Sequence, residues 1–551
     1  MNSLDAPNSL VEQIESYEPL IVSNDRHTFI RPAAGLGPSR FSPESYLQKC
    51  PLAVLDEETV QLVQVLRLHQ SIDHTQSATG SAALLRSLMQ PSTNLPYIVA
   101  KQEALQEIAA NDSLRRSLTD CIGEFSQGEA ALYKFFNKGI YALFPYPDIN
   151  QVRETMGRIS RLIKALPVVE SAYLQALVAR LRAYPGSTID QMMRGAIYKT
   201  MAGLQSAGEV SALMPKVKFT PRRFTLWLLA GPLVALAPHI QDKIGLEQLL
   251  PPMVAHIGYA WTGIHLLYSL FFKPAKDTFN FIEPFREKCI ADGIFNRMID
   301  AFGMIDELLS GDTFARETAQ AVVLPQVTAE RHHSFEATGL TNPVLASEDK
   351  AFVPNDVHLQ GVRLTFISGP NSGGKTTICK SIAQNQLLAQ AGGYVLAEKA
   401  TINIADLIRY QAPKFDGLQD DEGRFGTELA RTRDIFFATS PQSLVILDEL
   451  AEGTTYEERM EASQGIMGDF FTIGNNTVLV THNHSLVDRF MGEEKGQCLM
   501  TEFNGHAPTY RIVNGISRVS HAERIAEKIN FSSEDRRRYL VEKGYALHQQ
   551  G

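Results

Sequence analysis

The sequence predicts an α+β protein of several domains, in which a mostly helical region precedes an α/β domain. Three observations support this. Apolar residues recur with helical spacing from about residue 55 onwards. From about residue 335, short apolar segments alternate with helical ones, which is typical of a mostly parallel sheet covered on both faces. A glycine-rich loop lies between one such strand and the next helix.

Composition limits the protein classes that need to be considered. The chain has 551 residues, of which 44% are apolar and 21% charged, enough for two to four domains. Its 38 glycines and 27 prolines follow no repeat, which excludes a collagen-like chain. A formal charge of −9 argues against a protein built mainly to coat nucleic acid. The five cysteines never stand at C-x-x-C spacing and the first 20 residues lack a secretory signal, so we expect a cytoplasmic protein without structural zinc.

The region before residue 335 is predicted to be helical after a poorly packed leader. Residues 1–47 form that leader, because the segment 31–45 carries three prolines and two glycines. Helical periodicity then predicts helices over 82–89, 98–110, 114–122, 151–166 and 169–181.

Two apolar stretches, 224–240 and 253–272, allow two interpretations. Each approaches the ~20 residues that a bilayer span requires, and basic residues flank both outer ends of the hairpin that they would form. Against a span, the first stretch contains Pro232 and Pro238, and the second contains His256 and His265. We favour buried helices of a large helical domain, with a membrane hairpin as the alternative.

The second region carries a phosphate-binding loop. Apolar segments predict strands at 364–368, 394–397, 444–447 and 478–481. The first is followed by a sequence that fits G-x-x-x-x-G-K-[ST] and then by a helix. Backbone N–H groups of such a loop surround phosphate oxygens, Lys375 reaches the β- and γ-phosphates, and Thr376 ligates Mg²⁺. The predicted nucleotide-binding residues of the loop are Gly369, Pro370, Asn371, Ser372, Gly373, Gly374, Lys375, Thr376 and Thr377.

Acidic and imidazole side chains follow two later strands. Asp448 ends the apolar segment 444–447 and is predicted to hold Mg²⁺ together with Thr376. Glu449 is placed to orient and polarise an attacking water. His482 follows the last predicted strand and is a candidate sensor of the γ-phosphate. Lys375, Glu449 and His482 are therefore the predicted catalytic residues.

These motifs resemble the ATPase domain of the MutS family, within the ABC-type ATPases. GPNSGGKTT, LDELAEGTT, the TH dipeptide and SHAERIA at 520–526 occur in the family's order. Residues 55–108 are similar to the helical core of these proteins. The resemblance implies a helical core and lever over 48–335, with the apolar hairpin 224–272 inside it. It further implies a P-loop ATPase domain over 336–551 that ends in a helical dimerisation segment.

The resemblance also implies site residues and partners. Phe352 is a candidate for stacking on adenine, with a strand-edge phenylalanine as the alternative. Gly423, Arg424 and Phe425 lie in the signature region that would reach the nucleotide of a second subunit. ATP and Mg²⁺ are the implied cofactors, and a homodimer is the implied assembly.

The chain departs from the family pattern in four places. Because the resemblance begins almost at the helical core, we expect the mismatch-reading and connector domains to be absent, and the apolar hairpin stands where the DNA clamp is expected. Gly423 replaces the usual serine of the signature, and Asn342 replaces a histidine before Pro343.

Three functions remain open at this stage. The first is a slow ATPase of the MutS type that binds branched or distorted DNA, with basic runs at 216–223 and 511–538 as candidate contacts. The second is a membrane-tethered mechanochemical ATPase that does not bind DNA. The third is an inactive or slow dimer that uses ATP only as a switch.

Overall fold

The computed structural model describes most of the chain after the leader. The described residues are 52–137, 145–211, 213–222, 227–243, 251, 253–348, 352–361, 363–370, 373–413, 423–450, 455–504, 507–516 and 529–543. The predicted leader and the SHAERIA segment lie outside them. The chain divides into two compact units, one of residues 1–50, 73–86 and 103–314, the other of residues 51–72, 87–102 and 315–551. The domain boundaries given above stay predictions.

The described residues up to Glu317 are mostly helical. Their elements are α1 (Glu57–Leu62), α2 (Val65–Ile72), α3 (Ala78–Met89), α4 (Leu95–Ala110), α5 (Asp112–Asn137), α6 (Pro145–Ala165), α7 (Ala172–Ala183), α8 (Thr188–Arg194), β1 (Ile197–Thr200), β2 (Gly203–Ser206), β3 (Val217–Lys218), α9 (Trp227–Lys243), α10 (Met253–Leu267), α11 (Lys273–Asp277), α12 (Glu283–Ala291) and α13 (Gly293–Glu317). Single π-helical turns at Tyr268–Phe272 and Thr278–Ile282 join α10, α11 and α12. The predicted helices are confirmed, and most begin earlier or end later than the periodicity indicated.

The core of the first unit forms around α13, which buries most of its residues. Phe302 on this helix stacks on Phe125 of α5, with ring centroids 4.5 Å apart. Such offset aromatic contacts add roughly 0.5–1.5 kcal/mol to the burial of the rings. The helical region therefore has a packed core of its own.

Two buried carboxylates hold the start of α3. Asp306 accepts hydrogen bonds from the backbone N–H of Ser77 at 2.8 Å and from its hydroxyl at 2.6 Å. Glu129 accepts from the backbone N–H groups of Ala78 and Thr79, each at 2.8 Å. Helix starts leave N–H groups without partners, and acidic side chains satisfy them. The pKa of Asp306 is raised to about 6, mainly because the carboxyl is buried and also because Glu129 is nearby, although these hydrogen bonds lower it.

The two apolar stretches form a hairpin of α9 and α10, and it is not buried. The favoured interpretation, buried helices in a large domain, is wrong for the described residues, because the large apolar side chains point outward. Leu233 on α9 is 68% exposed and Ile264 on α10 is 65% exposed. Among the residues described, no helix combines the length and the apolar character needed to cross a membrane.

The elements after residue 317 alternate between strands and helices. They are β4 (Gln326–Thr328), β5 (Phe335–Leu340), α14 (Pro343–Ser347), β6 (Asn355–His358), β7 (Leu364–Ser368), α15 (Lys375–Gln390), β8 (Lys399–Asn403), β9 (Ile408–Gln411), α16 (Gly423–Ala438), β10 (Leu444–Asp448), α17 (Tyr456–Ile473), β11 (Asn476–Val480), α18 (His484–Gly492), β12 (Gln497–Asn504), β13 (Ala507–Asn514) and α19 (Ser533–Glu542).

A six-stranded sheet in the order β13-β12-β7-β11-β10-β9 organises the second unit. The strands from β12 to β9 are parallel, and β13 runs antiparallel at the edge. The central strands β7 and β11 are buried along their whole length, as expected when helices cover both faces. In a parallel sheet the carboxyl ends of all strands lie at one edge. That edge receives the residues that follow β7, β10 and β11.

One predicted strand is absent. Residues 394–397 form only an isolated bridge between Val395 and Val323, and the strand lies further along, at Lys399–Asn403. The Asn385 side chain on α15 accepts the backbone N–H of Leu396 at 2.8 Å, and Leu396 accepts that of Thr341. Because other partners satisfy this backbone, the apolar run is buried without joining a ladder.

Candidate functional site

The glycine-rich loop leaves β7 and enters α15 through two residues that need a left-handed backbone. Gly369 has φ +140° and Gly374, the N-cap of α15, has φ +88°. Side chains rarely tolerate such angles, so glycine is required at both positions. The N–H of Gly373 donates to the carbonyl of Pro370 at 3.0 Å. The loop is thus held at its two ends, whereas Asn371 and Ser372 lie outside the described residues.

Thr501 lies against this loop, although it is about 130 residues away in the chain. A Cβ on Gly369 would lie 2.5 Å from the Thr501 hydroxyl, and one on Gly373 would lie 2.6 Å from it. The register of β12 on β7, which pairs Met500 with Ser368, explains the contact. These glycines therefore serve close approach as well as backbone freedom. No local motif marks Thr501, so the sequence alone does not predict its place beside the loop.

Lys375 is buried at the start of α15. Its ammonium donates to the carbonyl of Gly369 at 2.6 Å, which directs the side chain back along the loop. Burial lowers the pKa of the Lys375 ammonium, and the carboxylates of Asp448 and Glu449 oppose that effect. A positive charge held inside the phosphate-binding loop is suited to bind phosphate oxygens.

The next residue of α15 meets the end of β10. The Thr376 hydroxyl donates to the carboxylate of Asp448 at 2.8 Å. The hydroxyl of Tyr410, on β9, lies 3.4 Å from the same carboxylate oxygen. A hydroxyl and a carboxylate side by side are oxygen ligands of the kind that Mg²⁺ takes together with substrate phosphates. The donor set thus fits a Mg²⁺–nucleotide complex.

Glu449 and His482 lie close together just after the carboxyl ends of β10 and β11. Glu449 has φ +69°, a strained angle for this residue, and its N–H donates to the carbonyl of Val480 on β11 at 3.0 Å. Its carboxylate lies 3.8 Å from His482 Nε2. Both side chains are partly exposed, so both are accessible to water and substrate. The structure brings these two residues together as parallel strand ends require.

The remaining predicted site residues are placed less closely. Phe352 is half-buried just before β6. Phe425 packs against the hydrophobic core formed by β7, β10, β11, α17 and α18. Gly423 and Arg424 begin α16, and their side chains are outside the described set. Thr377 is half-buried on α15, and its carbonyl accepts from Ser381. The roles given to these residues stay predictions.

Tyr510 on β13 is a second aromatic residue near the loop. Its Cδ1 lies 3.5 Å from the position of a Cβ on Gly374. Its φ of +60° is unusual for a tyrosine, and its carbonyl accepts from the Asn355 side chain on β6 at 3.0 Å. The ring is half exposed. No sequence pattern predicts Tyr510 at this place, and only its backbone angle and its neighbours mark it.

Asn342, where the sequence departs from the pattern, has a structural role. Its side-chain oxygen caps α14 by accepting from Leu345 N–H at 2.9 Å. Its amide donates to Ser381 and Gln384 of α15 at 3.2 and 3.0 Å. An N-cap of this kind contributes about 1 kcal/mol to the stability of a helix. The asparagine thus joins α14 to the helix that follows the phosphate loop.

Comparison with known proteins identifies relatives of this chain. The family model described as MutS domain V matches residues 365–534. The DNA mismatch repair protein MutS of Thermosynechococcus vestitus is 25% identical over 499 residues, which cover 81% of this chain and 55% of that protein. MutS of Haloquadratum walsbyi is 33% identical over 188 residues, 34% of this chain and 20% of its own length.

A eukaryotic relative matches over a shorter range. The DNA mismatch repair protein MSH3 of Phaeosphaeria nodorum is 36% identical over 151 residues, 26% of this chain and 14% of that protein. Where relatives match most of the chain, the chain spans about half of their length.

Proposed function

Because the chain belongs to the MutS family, we propose that it binds and hydrolyses Mg²⁺-ATP and that ATP closes a homodimer able to hold branched or distorted DNA. The observation that carries this proposal is the contact between Thr376 and Asp448, 2.8 Å across the ends of α15 and β10. It joins the phosphate loop to the acidic strand end, two elements 72 residues apart, at one edge of the sheet.

Each residue around that contact has a distinct task in hydrolysis. Thr376 and Asp448 would hold Mg²⁺, which neutralises charge on the β- and γ-phosphate oxygens. Lys375 adds a second positive charge from the loop side. Glu449 orients a water and accepts its proton as the bond to phosphorus forms. His482, within 3.8 Å of Glu449, positions that carboxylate and responds to the γ-phosphate.

A homodimer follows from the composite sites of ABC-type ATPases. In such sites the phosphate loop of one subunit and the signature segment of the other enclose one nucleotide. This chain carries one loop and one signature, Gly423–Phe425, so two chains would form two sites. Closure on ATP and reopening after hydrolysis would then move the helical units.

DNA binding is proposed from basic residues as well as from the family. Lys216, Lys218 and Arg222 are exposed in the first unit, and Arg536, Arg537 and Arg538 are exposed on α19. Exposed basic side chains bind phosphates with an affinity that falls steeply as salt is added. Which of the two groups contacts DNA can be tested by charge reversal at each one separately.

The central experiment compares Glu449→Gln with the wild type in ATP binding and turnover. Loss of a general base lowers the rate about 10²- to 10⁴-fold, while ATP affinity is retained because the loop and Lys375 are intact. Glu457→Gln, an exposed acid in the first turn of α17, is the matched control. Unchanged turnover in Glu449→Gln would contradict the role of Glu449 and favour a dimer that uses ATP only as a switch.

Light scattering and DNA binding complete the test. The wild type should become dimeric with ATP, and Glu449→Gln should remain so, because it cannot reopen. The affinity of the ATP-bound dimer for branched DNA should then exceed its affinity for linear duplex. Equal and salt-independent binding of both DNAs would remove the DNA part of the proposal and leave the ATPase part intact.

A further inference from the structure

The hairpin of α9 and α10 has a surface that the proposed ATPase cycle does not use. We propose that this hairpin lies in the interface of a lipid bilayer containing anionic phospholipids, with both of its ends at the level of the headgroups. The inference is independent of the nucleotide site, because every residue that carries it belongs to the first unit.

Small residues form the closest described contacts between the two helices of the hairpin. A Cβ on Gly258 would lie 2.5 Å from the backbone nitrogen of Ala235 and 2.6 Å from the carbonyl oxygen of Gly231. Ala235 is 2% exposed and Ala255 is 7% exposed, so alanine and glycine fill the seam. Close backbone approach through small residues is the way in which helices associate in an apolar medium.

The large apolar side chains instead cover the outside. At 100° per residue, those exposed on α10 extend around more than half of the helix. A protein partner that docks on a helix covers one stripe of it, whereas a helix that is apolar nearly all round requires an apolar environment. The exposed apolar residues are Leu229, Leu233, Val234, Leu236, Ile240, Met253, Ile257, Tyr259, Trp261, Ile264, Leu266 and Leu267.

The charges along the hairpin favour lipid and indicate its orientation. No Asp, Glu, Lys or Arg occurs in 227–240 or in 253–272, although both ends carry charges. The connection includes Asp242, Lys243 and Glu247, so a tip pointing into hydrocarbon would bury them at a cost of several kcal/mol. A hairpin that lies along the interface keeps both ends hydrated. Its immersion by about 5–10 Å would cover most of a helix about 10 Å wide.

Basic residues stand where the hairpin begins and ends. Lys216, Lys218, Arg222 and Lys276 are exposed there. Lys273, which follows α10, links this end to the segment before α9. Its ammonium donates to the carbonyls of Thr220 and Arg222 at 3.2 and 2.6 Å. Each basic residue near an anionic membrane surface contributes roughly 1 kcal/mol. The charge at this end thus complements anionic headgroups.

Aromatic residues agree with an interfacial position. Tyr259, Trp261 and Tyr268 are all exposed on or directly after α10. Tryptophan and tyrosine concentrate at the boundary between headgroups and hydrocarbon, since their rings are apolar and their N–H or O–H groups remain hydrated.

Intrinsic fluorescence tests the proposal directly, because the only two tryptophans of the chain, Trp227 and Trp261, both lie in the hairpin. The full-length protein is titrated with vesicles of phosphatidylcholine and phosphatidylserine. The tryptophan emission should shift to shorter wavelength and be quenched by brominated lipid. Vesicles of phosphatidylcholine alone should bind more weakly, and salt should weaken binding to the anionic vesicles.

Leu233→Glu combined with Ile264→Glu should lower partitioning by roughly 100-fold or more. Both positions are mostly exposed, so the fold does not depend on them. The matched control is Met201→Glu, since Met201 is 99% exposed in the same unit but outside the hairpin. ATP turnover of the double variant in buffer should equal that of the wild type, which separates this test from that of the nucleotide site.

Two outcomes would overturn the proposal. The first is tryptophan emission that anionic vesicles do not change, or vesicle binding that the two glutamates do not weaken. The second is a dimer in lipid-free buffer that the double variant converts to a monomer, because a second copy of the chain would then cover the hairpin. Binding of wild type and control, but not of the double variant, supports the interfacial hairpin.

Discussion

The phosphate loop and the apolar hairpin both depend on glycines that permit close approach, yet the two regions use that approach differently. At the loop, Gly369 and Gly373 allow the Thr501 side chain to lie against the turn. In the hairpin, Gly231 and Gly258 allow two helix backbones to touch. The comparison shows that the structural role of a glycine can be assigned only when the atoms packed against it are known.

Among the variants that compare the loop with the hairpin, the largest expected effect concerns the charge at the loop. Lys375→Met retains the buried aliphatic stem and removes the ammonium that donates to the Gly369 carbonyl. A charge-assisted hydrogen bond is worth about 1.5–3 kcal/mol, so ATP affinity should fall roughly 10- to 100-fold. Titration calorimetry measures the change. ATP affinity equal to the wild type would show that the loop does not bind phosphate through this residue.

The hairpin glycine gives the corresponding test of packing. In Gly258→Val, the new side chain meets the backbone of α9, and overpacking costs about 1–3 kcal/mol. Gly263→Val on the same helix is the control, because a Cβ there meets nothing within 4 Å. Urea denaturation of both variants measures the difference in stability. Equal losses would indicate that helix propensity, and not the seam, determines the effect.

The acid cap of α3 predicts a pH dependence in the helical unit. Asp306 has a folded pKa of about 6, above the value of about 3.9 in unfolded chains. The folded state therefore binds this proton more tightly, and the stability that it contributes is present below pH 4 and lost as the pH rises through 6. Between pH 5 and 7.5 the free energy of unfolding should fall by about 1 kcal/mol from this group.

Asp306→Asn should remove that part of the pH dependence, whereas Asp112→Asn, at an exposed position, should not. Urea denaturation at the two pH values compares the three proteins. If the free energy of unfolding of Asp306→Asn falls with pH as steeply as that of the wild type, other groups cause the pH dependence. Glu129 would be the first of these, because burial also raises its pKa.

The smallest effect concerns the aromatic residues near the loop. If Phe352 stacks on adenine, Phe352→Leu should weaken ATP binding by about 0.5–1.5 kcal/mol, a few-fold change in affinity. Tyr510→Leu serves as the comparison, since Tyr510 lies beside Gly374. The variant that binds ATP more weakly but binds inorganic triphosphate as the wild type does identifies the residue that contacts the base. No loss in Phe352→Leu would identify it as a strand-edge phenylalanine.

Sequence patterns predicted the loop, the acidic pair and His482 because their signals are short and contiguous. A glycine-rich turn between strand and helix dictates its own geometry, and parallel strand ends converge at one edge. Prediction failed where the partners are distant. The run at 394–397 has the composition of a strand, but Asn385 and Thr341 provide its hydrogen-bond partners.

Sequence by itself predicted most of the helices, the strands β7, β10 and β11, the resemblance to the MutS family and the candidate residues for a magnesium–triphosphate complex, since local periodicity and contiguous motifs carry that information. Only the tertiary structure decided that Thr501 and Tyr510 lie beside the loop and that Asp306 and Glu129 cap α3. It also decided that the outside of the α9–α10 hairpin is exposed. The reason is physical. The apolar composition of a segment determines how favourable its burial is, whereas strand register and helix packing determine whether other residues cover that segment.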